Sequence, residues 1–210
     1  GAVVITNDNS TGGVTTSGDI TTTGDTIQFA ANTTLGGNVA LTSGAGAGNI
    51  VFGVFTNSPT VDPTPASQIL ALDGAQNLTI TAGTGSVTFN GLVGSTTRLG
   101  TLRIVSAADV DFFQHSESDG RSATLGSFVQ DAGSGTTSIF GSINTNTAAG
   151  IVITNTNLTV AGDLTTTNGG VVTLTQSGTT TTSTFGDISS DGAVSITSTN
   201  GTSISSDITT

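Results

Sequence analysis

The chain has 210 residues and a net charge of −11, and it contains no cysteine. The acidic balance excludes nucleic acid as a partner and disfavours anionic lipid, because both bind through basic surfaces. The absence of cysteine excludes disulfides. No apolar stretch reaches the length of a membrane helix, which is about 20 residues, so we predict no membrane insertion. No signal-peptide pattern opens the sequence, so we expect any targeting segment to lie outside it.

The composition predicts an all-β chain. It includes 44 Thr and 30 Gly, with many Val and Ile residues and no Lys, Met, Trp or Tyr. Thr, Val and Ile are stiff at χ1 and favour strands, whereas residues of high helix propensity at helical spacing are nearly absent. Apolar residues alternate with polar ones in short runs, which is untypical of disordered chains.

The first segment of the chain recurs near its end. Residues 1–6 read Gly-Ala-Val-Val-Ile-Thr and residues 192–197 read Gly-Ala-Val-Ser-Ile-Thr. Residues 205–210 similarly repeat residues 17–22, and both segments end in Asp-Ile-Thr-Thr. The spacing predicts one repeat of about 190 residues followed by the first part of a second copy, within a single solenoid segment over residues 1–210. Repetition of this length is typical of a surface fibre or stalk rather than of a catalytic domain.

Two segments interrupt the regular pattern in the middle of the chain. Residues 56–66 hold all three prolines, which cannot lie inside a strand ladder, so we predict a loop excursion there. Residues 114–121 form the most polar stretch and predict a second loop. Between these loops, residues 78–80, 86–90 and 102–105 have the alternation of regular strands.

Two short motifs alternate through the second half of the chain at a period of about 20 residues. The first motif, Gly followed by alternating Val or Ile, occurs at residues 150–154, 170–175 and 192–197. The second motif, typically Gly-Asp-Ile or Gly-Asp-Leu, occurs at residues 141–143, 162–164, 186–188 and 206–208. Such alternation predicts a parallel β-solenoid with 20–24 residues per coil, in which inward residues stack about 4.8 Å apart.

The central block resembles a repeat of very large bacterial adhesins of the filamentous-haemagglutinin type. Residues 86–104 combine an apolar strand, the turn Gly-Leu-Val-Gly and the run Leu-Gly-Thr-Leu-Arg-Ile. Residues 21–29 and 32–35 resemble the companion segment, with Asp25, Phe29 and Asn32 in place of the Gln, Tyr and Asp that are common there. The resemblance implies a right-handed parallel β-helix that is secreted and displayed on a bacterial surface within a long filament. It implies no catalytic residues.

One cluster raises the question of chemistry. His115, Glu117 and Asp119 would share one face of an extended segment, as a metal site or an acid–base group would require. With only one His in the chain, a solvated loop is the simpler interpretation. Asp-containing turns could offer oxygen ligands to calcium, but they equally satisfy backbone N–H groups at bends. We therefore predict no cofactor, with calcium as the alternative.

Enzymatic activity is not predicted. Enzymes of this fold class that act on polysaccharides need clustered carboxylates, cationic groups and aromatic platforms to hold a sugar. This chain has a single Glu, three scattered Arg residues and no Trp or Tyr.

The sequence therefore predicts a structural repeat of a secreted or cell-surface fibre or adhesin, with copies of itself as partners. The alternative is a binding module in which loops 56–66 and 114–121 contact a surface glycan or host receptor, because loops on a rigid scaffold often carry function. For the structural reading, the predicted stacking interface consists of Gly1, Val3, Ile5, Ile20, Val194, Ile196 and Ile208.

Overall fold

The computed structural model describes residues 1–7, 12–53, 70–113, 121–178, 186–201 and 206–210. These residues form parallel strands stacked as a β-solenoid of about seven turns, with no helix among them. The predicted all-β solenoid is confirmed. The predicted loop 56–66 lies outside the described residues, as does loop 114–121 apart from its last residue.

The strands are short, as expected for coils that bend at every corner. In chain order they are β1 (Val3–Thr6), β2 (Gly13–Thr16), β3 (Ile20–Thr21), β4 (Ile27–Ala30), β5 (Asn32–Leu35), β6 (Val39–Thr42), β7 (Ile50–Phe52), β8 (Ala71–Asp73), β9 (Leu78–Thr81), β10 (Val87–Phe89), β11 (Leu92–Val93) and β12 (Leu99–Ser106). The second half contains β13 (Val110–Phe112), β14 (Ser122–Gln130), β15 (Thr136–Ile139), β16 (Ser142–Thr145), β17 (Ile151–Asn155), β18 (Asn157–Val160), β19 (Leu164–Thr166), β20 (Val172–Gln176), β21 (Ile188–Ser189), β22 (Val194–Ser198) and β23 (Ile208–Thr209).

Each full coil contributes to three faces in a fixed order. Face 1 is the sheet β1-β4-β7-β10-β13-β15-β18. Face 2 runs β2-β5-β8-β11-β14-β16-β19-β21-β23, and face 3 runs β3-β6-β9-β12-β14-β17-β20-β22. The long strand β14 passes from face 2 to face 3 and joins both into one sheet.

The two alternating motifs of the second half form faces 2 and 3. Ile151, Val172 and Val194 are successive neighbours on face 3. On face 2 the corresponding column is Ile143, Leu164, Ile188 and Ile208. The predicted coil length holds here, but elsewhere coils are longer. Val110 lies opposite Thr137, and Ile50 lies opposite Val87 in a coil that includes the residues between β7 and β8.

The core is a continuous column of inward side chains. Strand alternation places Ile151 and Ile153 inward and fully buried, while Val152 and Thr154 point outward. Beneath face 1 four phenylalanine rings stack in register, with centroid separations of 5.1, 5.2 and 4.6 Å between neighbours. Offset stacking of this kind adds to the free energy of apolar burial. The ladder comprises Phe29, Phe52, Phe89 and Phe112.

A column of glycines at the corner before face 2 allows the coils to approach closely. A Cβ atom on Gly162 would lie 2.1 Å from the carbonyl oxygen of Gly141 in the preceding coil. On Gly186 it would lie 2.5 Å from the carbonyl oxygen of Gly162. Both separations are below van der Waals contact, so the backbone spacing at this corner depends on glycine.

Replacing Gly162 by Ala should therefore destabilise the solenoid. We expect a loss of about 1–3 kcal/mol in the free energy of unfolding, because the added methyl group must displace a backbone carbonyl. The matched control is Gly18→Ala, since Gly18 has no atom within 4 Å of its Cβ position. Urea unfolding of both variants measures the difference, and equal midpoints would contradict the steric role of this corner.

Candidate functional site: the exposed end rungs

The first rung consists of β1, β2 and β3, each of which pairs with one described strand only. β1 pairs with β4, β2 with β5 and β3 with β6, so the opposite edge of each has no neighbour among the described residues. Ile5 and Ile20 point inward and are only partly buried, whereas inward residues of the next coil such as Ile27 are fully buried. Val4 points outward and is 57% exposed.

The last rungs have the same character at the other end. β22 pairs with β20 on face 3, and β23 pairs with β21 on face 2. Val194 and Ile196 pack against the core but stay partly exposed, and Ile208 is 42% exposed. All seven residues of the predicted stacking interface therefore lie at the two ends of the described structure. Gly1 lies two residues before the start of β1, and its backbone nitrogen is 2.9 Å from Oδ2 of Asp25.

The structure does not place the recurring segments on the same face. β1, in the first copy of Gly-Ala-Val-x-Ile-Thr, lies on face 1, whereas β22, in the second, lies on face 3. The segment containing Ile20 lies on face 3, and its counterpart containing Ile208 lies on face 2. The two copies of each recurring segment therefore lie on different faces of the solenoid.

Side-chain oxygens connect successive coils at the corners. Before face 2, Oδ1 of Asp163 accepts a hydrogen bond from the backbone N–H of Asp187 at 3.1 Å, and Oδ1 of Asp187 accepts one from Asp207 at 3.1 Å. Before face 3, Asn38 accepts from the N–H of Asn77 at 2.9 Å in the same way. These Asp and Asn side chains thus satisfy backbone N–H groups at bends, as predicted, but the N–H groups belong to the next coil rather than to the same turn.

The structure does not describe the candidate metal and acid–base residues. His115, Glu117 and Asp119 lie outside the described residues. Across the ranges that the structure describes, no group of three or more His, Asp or Glu side chains is arranged to hold a metal ion. Arg121, the last residue of the predicted polar loop, is 8% exposed and donates a hydrogen bond from Nη1 to the carbonyl oxygen of Asn90 at 2.9 Å.

Two features of the interior were not anticipated from the sequence. Arg98 extends across two further coils, donating to the carbonyl oxygens of Leu125 at 2.8 Å and Asn144 at 3.1 Å and to Oδ1 of Asn144 at 2.7 Å. Gln130 and Thr137 are fully buried and hydrogen-bonded to each other at 2.8 Å, within a polar corner of the core. A lone Arg and a lone Gln in strand sequences carry no signal of such contacts.

The described residues define a parallel β-solenoid whose first and last strands pair on one side only within that part of the chain. Comparison of the chain with protein-family models, curated proteins and solved structures gives no significant match. The resemblance to adhesins of the filamentous-haemagglutinin type therefore stays a prediction from sequence. In the described part of the chain, no helix has the length and apolar character needed to span a membrane.

Arg98 should contribute more to stability than the other arginine of the same region. Arg98→Ala removes three hydrogen bonds that join different coils, and we expect a loss of about 2–3 kcal/mol. Arg103→Ala is the control, because the ion pair of Arg103 with Asp131 at 2.7 Å is largely exposed and is expected to contribute about 0–1 kcal/mol. Thermal or urea unfolding compares the two; a larger loss for Arg103→Ala would contradict the role of Arg98.

Proposed function

We propose that this chain is a structural repeat of a secreted or cell-surface fibre, and that it builds a filament by head-to-tail stacking of β-solenoid repeats. The resemblance in sequence suggests a bacterial adhesin as the setting. The observation that carries the proposal is the regular parallel solenoid, in which each inner coil buries its inward residues against the coils on both sides, so that a further coil can continue the same ladders.

The backbone at each end is suited to a further coil. An exposed strand edge presents unpaired N–H and C=O groups that pair readily with another strand, and most soluble proteins cover or interrupt such edges. The strands of both end rungs are parallel to their inner neighbours. Another solenoid rung would continue these ladders in the same direction, with main-chain hydrogen bonds supplying affinity.

The side chains at each end are suited to a further coil as well. Ile5 and Ile20 at one end, and Val194 and Ile196 at the other, pack against the core on one side only. Burying an aliphatic side chain of this size contributes about 1.5–3 kcal/mol when burial is complete. Two stacked repeats would bury several such residues at one junction, so stacking has an apolar driving force at its centre.

Electrostatic repulsion opposes this association. Asp19 and Asp25 lie near one end and Asp191 and Asp207 near the other, in a chain of net charge −11. Like charges on both surfaces repel each other in low salt, and added ions screen the repulsion within about 10 Å at 0.1 M. Stacking therefore depends on apolar and backbone contacts that outweigh the charge.

An inward charge at the end rung should prevent stacking. Ile196→Asp places a carboxylate against the core side of β22, where a stacked repeat would bury it. We expect a cost of about 3 kcal/mol or more, equivalent to about a hundredfold or greater loss in the association constant. Sedimentation velocity over a concentration series, with electron microscopy of negatively stained samples, measures the loss of linear oligomers.

The matched control for that variant is Thr197→Asp on the same strand. Thr197 is the next residue and points outward, so its charge stays in solvent when the ends stack. Association close to that of the unmodified chain is expected. Equal effects of both substitutions would contradict an apolar junction, and monodisperse short rods of the unmodified chain at every concentration would contradict stacking altogether.

Association should also increase with salt. Raising the salt concentration from about 0.01 M to 0.15 M shortens the Debye length from about 30 to 8 Å, so repulsion between the acidic ends falls. We expect a several-fold increase in the association constant, measured by sedimentation velocity. A decrease with salt would show that attraction between opposite charges holds the repeats together.

A further inference from the structure

We propose that successive copies of the repeat along one rod are rotated by one face of the solenoid. The inference rests on the proposed function, because it concerns copies that stack end to end. Its starting point is the mismatch between the recurrence in the sequence and the position of the recurring segments in the fold.

Both pairs of recurring segments are displaced by the same step. Coils pass through faces 1, 2 and 3 in that order. The segment with Val3 lies on face 1, and its counterpart with Val194 lies on face 3. The path along the chain from the first to the second is therefore one face short of a whole number of turns. The segment with Ile20 lies on face 3, and its counterpart with Ile208 lies on face 2, which is again one face short.

The inward and outward positions are retained through this step. In β1, Val3 and Ile5 are the more buried residues and alternate with exposed positions. In β22, Val194 and Ile196 occupy the corresponding inward positions and are the same residue types. A second copy that begins at β22 therefore packs Val and Ile against Val172 and Leu174 without any change in core volume.

The glycine of the motif is required on face 3. A Cβ atom on Gly192 would lie 2.7 Å from the carbonyl oxygens of both Gly169 and Gly170. A Cβ atom on Gly1, the equivalent residue of the first copy, would meet nothing within 4 Å. The preceding coil therefore leaves no room for a side chain at Gly192, whereas no preceding coil lies beside Gly1 among the described residues.

Corner aspartates of the second motif accept hydrogen bonds from the following coil both before face 3 and before face 2. Asp19 Oδ1 accepts a hydrogen bond from the N–H of Ala40 in the following coil at 2.8 Å, at the corner before face 3. Asp207 occupies the corner before face 2, in line with Asp163 and Asp187, whose Oδ1 atoms accept from the following coil. A corner aspartate can therefore move from one face to the next without losing its hydrogen-bonding function.

A rotation of this kind determines what a fibre displays. Face 1 of each copy would lie in line with face 3 of the preceding copy. The original orientation would return only after three copies. A feature confined to one face of the repeat, such as the ladder Phe29, Phe52, Phe89 and Phe112 beneath face 1, would wind around the rod. Each side of the fibre would then present all three faces in turn.

The test uses a tandem chain in which residues 1–191 are followed directly by residues 1–210. With rotation, Thr6 of the second copy takes the position of Thr197 and lies beside Thr175 of the first copy on face 3. Neighbouring strands are about 4.8 Å apart, which is within the Cα separation of about 4.4–6.8 Å that a disulfide requires. The chain has no cysteine of its own, so Thr175→Cys with Thr6→Cys in the second copy gives one defined pair.

Two control pairs calibrate the oxidation yield. Thr175→Cys with Thr197→Cys in the 210-residue chain joins the same two positions directly, and Thr154→Cys with Thr175→Cys within the first copy tests a neighbouring pair of face 3. We expect the pair across the copies to reach the yield of the controls. Absence of this disulfide, with both controls formed, would overturn the rotation.

Electron microscopy of the same tandem chain separates this outcome from a failure of the proposed function. One continuous rod without the disulfide contradicts the rotation and leaves stacking intact. Two bodies joined by a hinge, or loss of the β circular-dichroism signal in a chain whose single copy folds, contradicts both proposals. A continuous rod with the disulfide supports both.

Discussion

The structure depends on main-chain hydrogen bonding between each coil and the next. Parallel pairing in register requires that successive coils stay about one strand spacing apart along the axis. At the corners, this spacing leaves no room for a Cβ atom between Gly162 and Gly141. On the faces, it brings inward residues into contact with their equivalents one coil away, which explains why the same residue types recur in columns.

Because coils support each other only through neighbours, stability is distributed along the axis. A coil cannot bury its own apolar side chains, and it needs one neighbour on each side. Inner coils meet this requirement, as the full burial of Ile50 and Val87 indicates. The end rungs have one neighbour each among the described strands, so their inward residues stay partly exposed. The dependence of each coil on its neighbours therefore also explains why the inward residues of the end rungs are less buried than those of the inner coils.

The corners combine two requirements that the faces do not have. A bend interrupts the regular ladder, so backbone N–H groups there need other acceptors, and Asp and Asn side chains of the preceding coil supply them. The carboxylates consequently serve as coil-to-coil connections and give the exterior its negative charge. Arg98 provides a longer connection, in which its guanidinium donates to oxygens of two further coils. The same Asp side chains thus provide hydrogen bonds between coils at the bends and negative charge on the surface.

The sequence by itself determined the class of fold and most of the strands. Alternating Val, Ile and Thr residues indicate which side chains point inward, and the 20–24-residue spacing of the two motifs indicates their stacking on faces 2 and 3, because both patterns are local and repeat. The same alternation identifies Val3, Ile5, Val194 and Ile196 as inward residues of β1 and β22. Only the tertiary structure decided which face each strand occupies. Coil length varies with insertions such as the one after β7, so the number of turns between two similar segments cannot be counted from residue numbers. For the same reason, contacts such as that of Arg98 with Asn144 depend on which coils become neighbours, and no pattern within one coil reveals them.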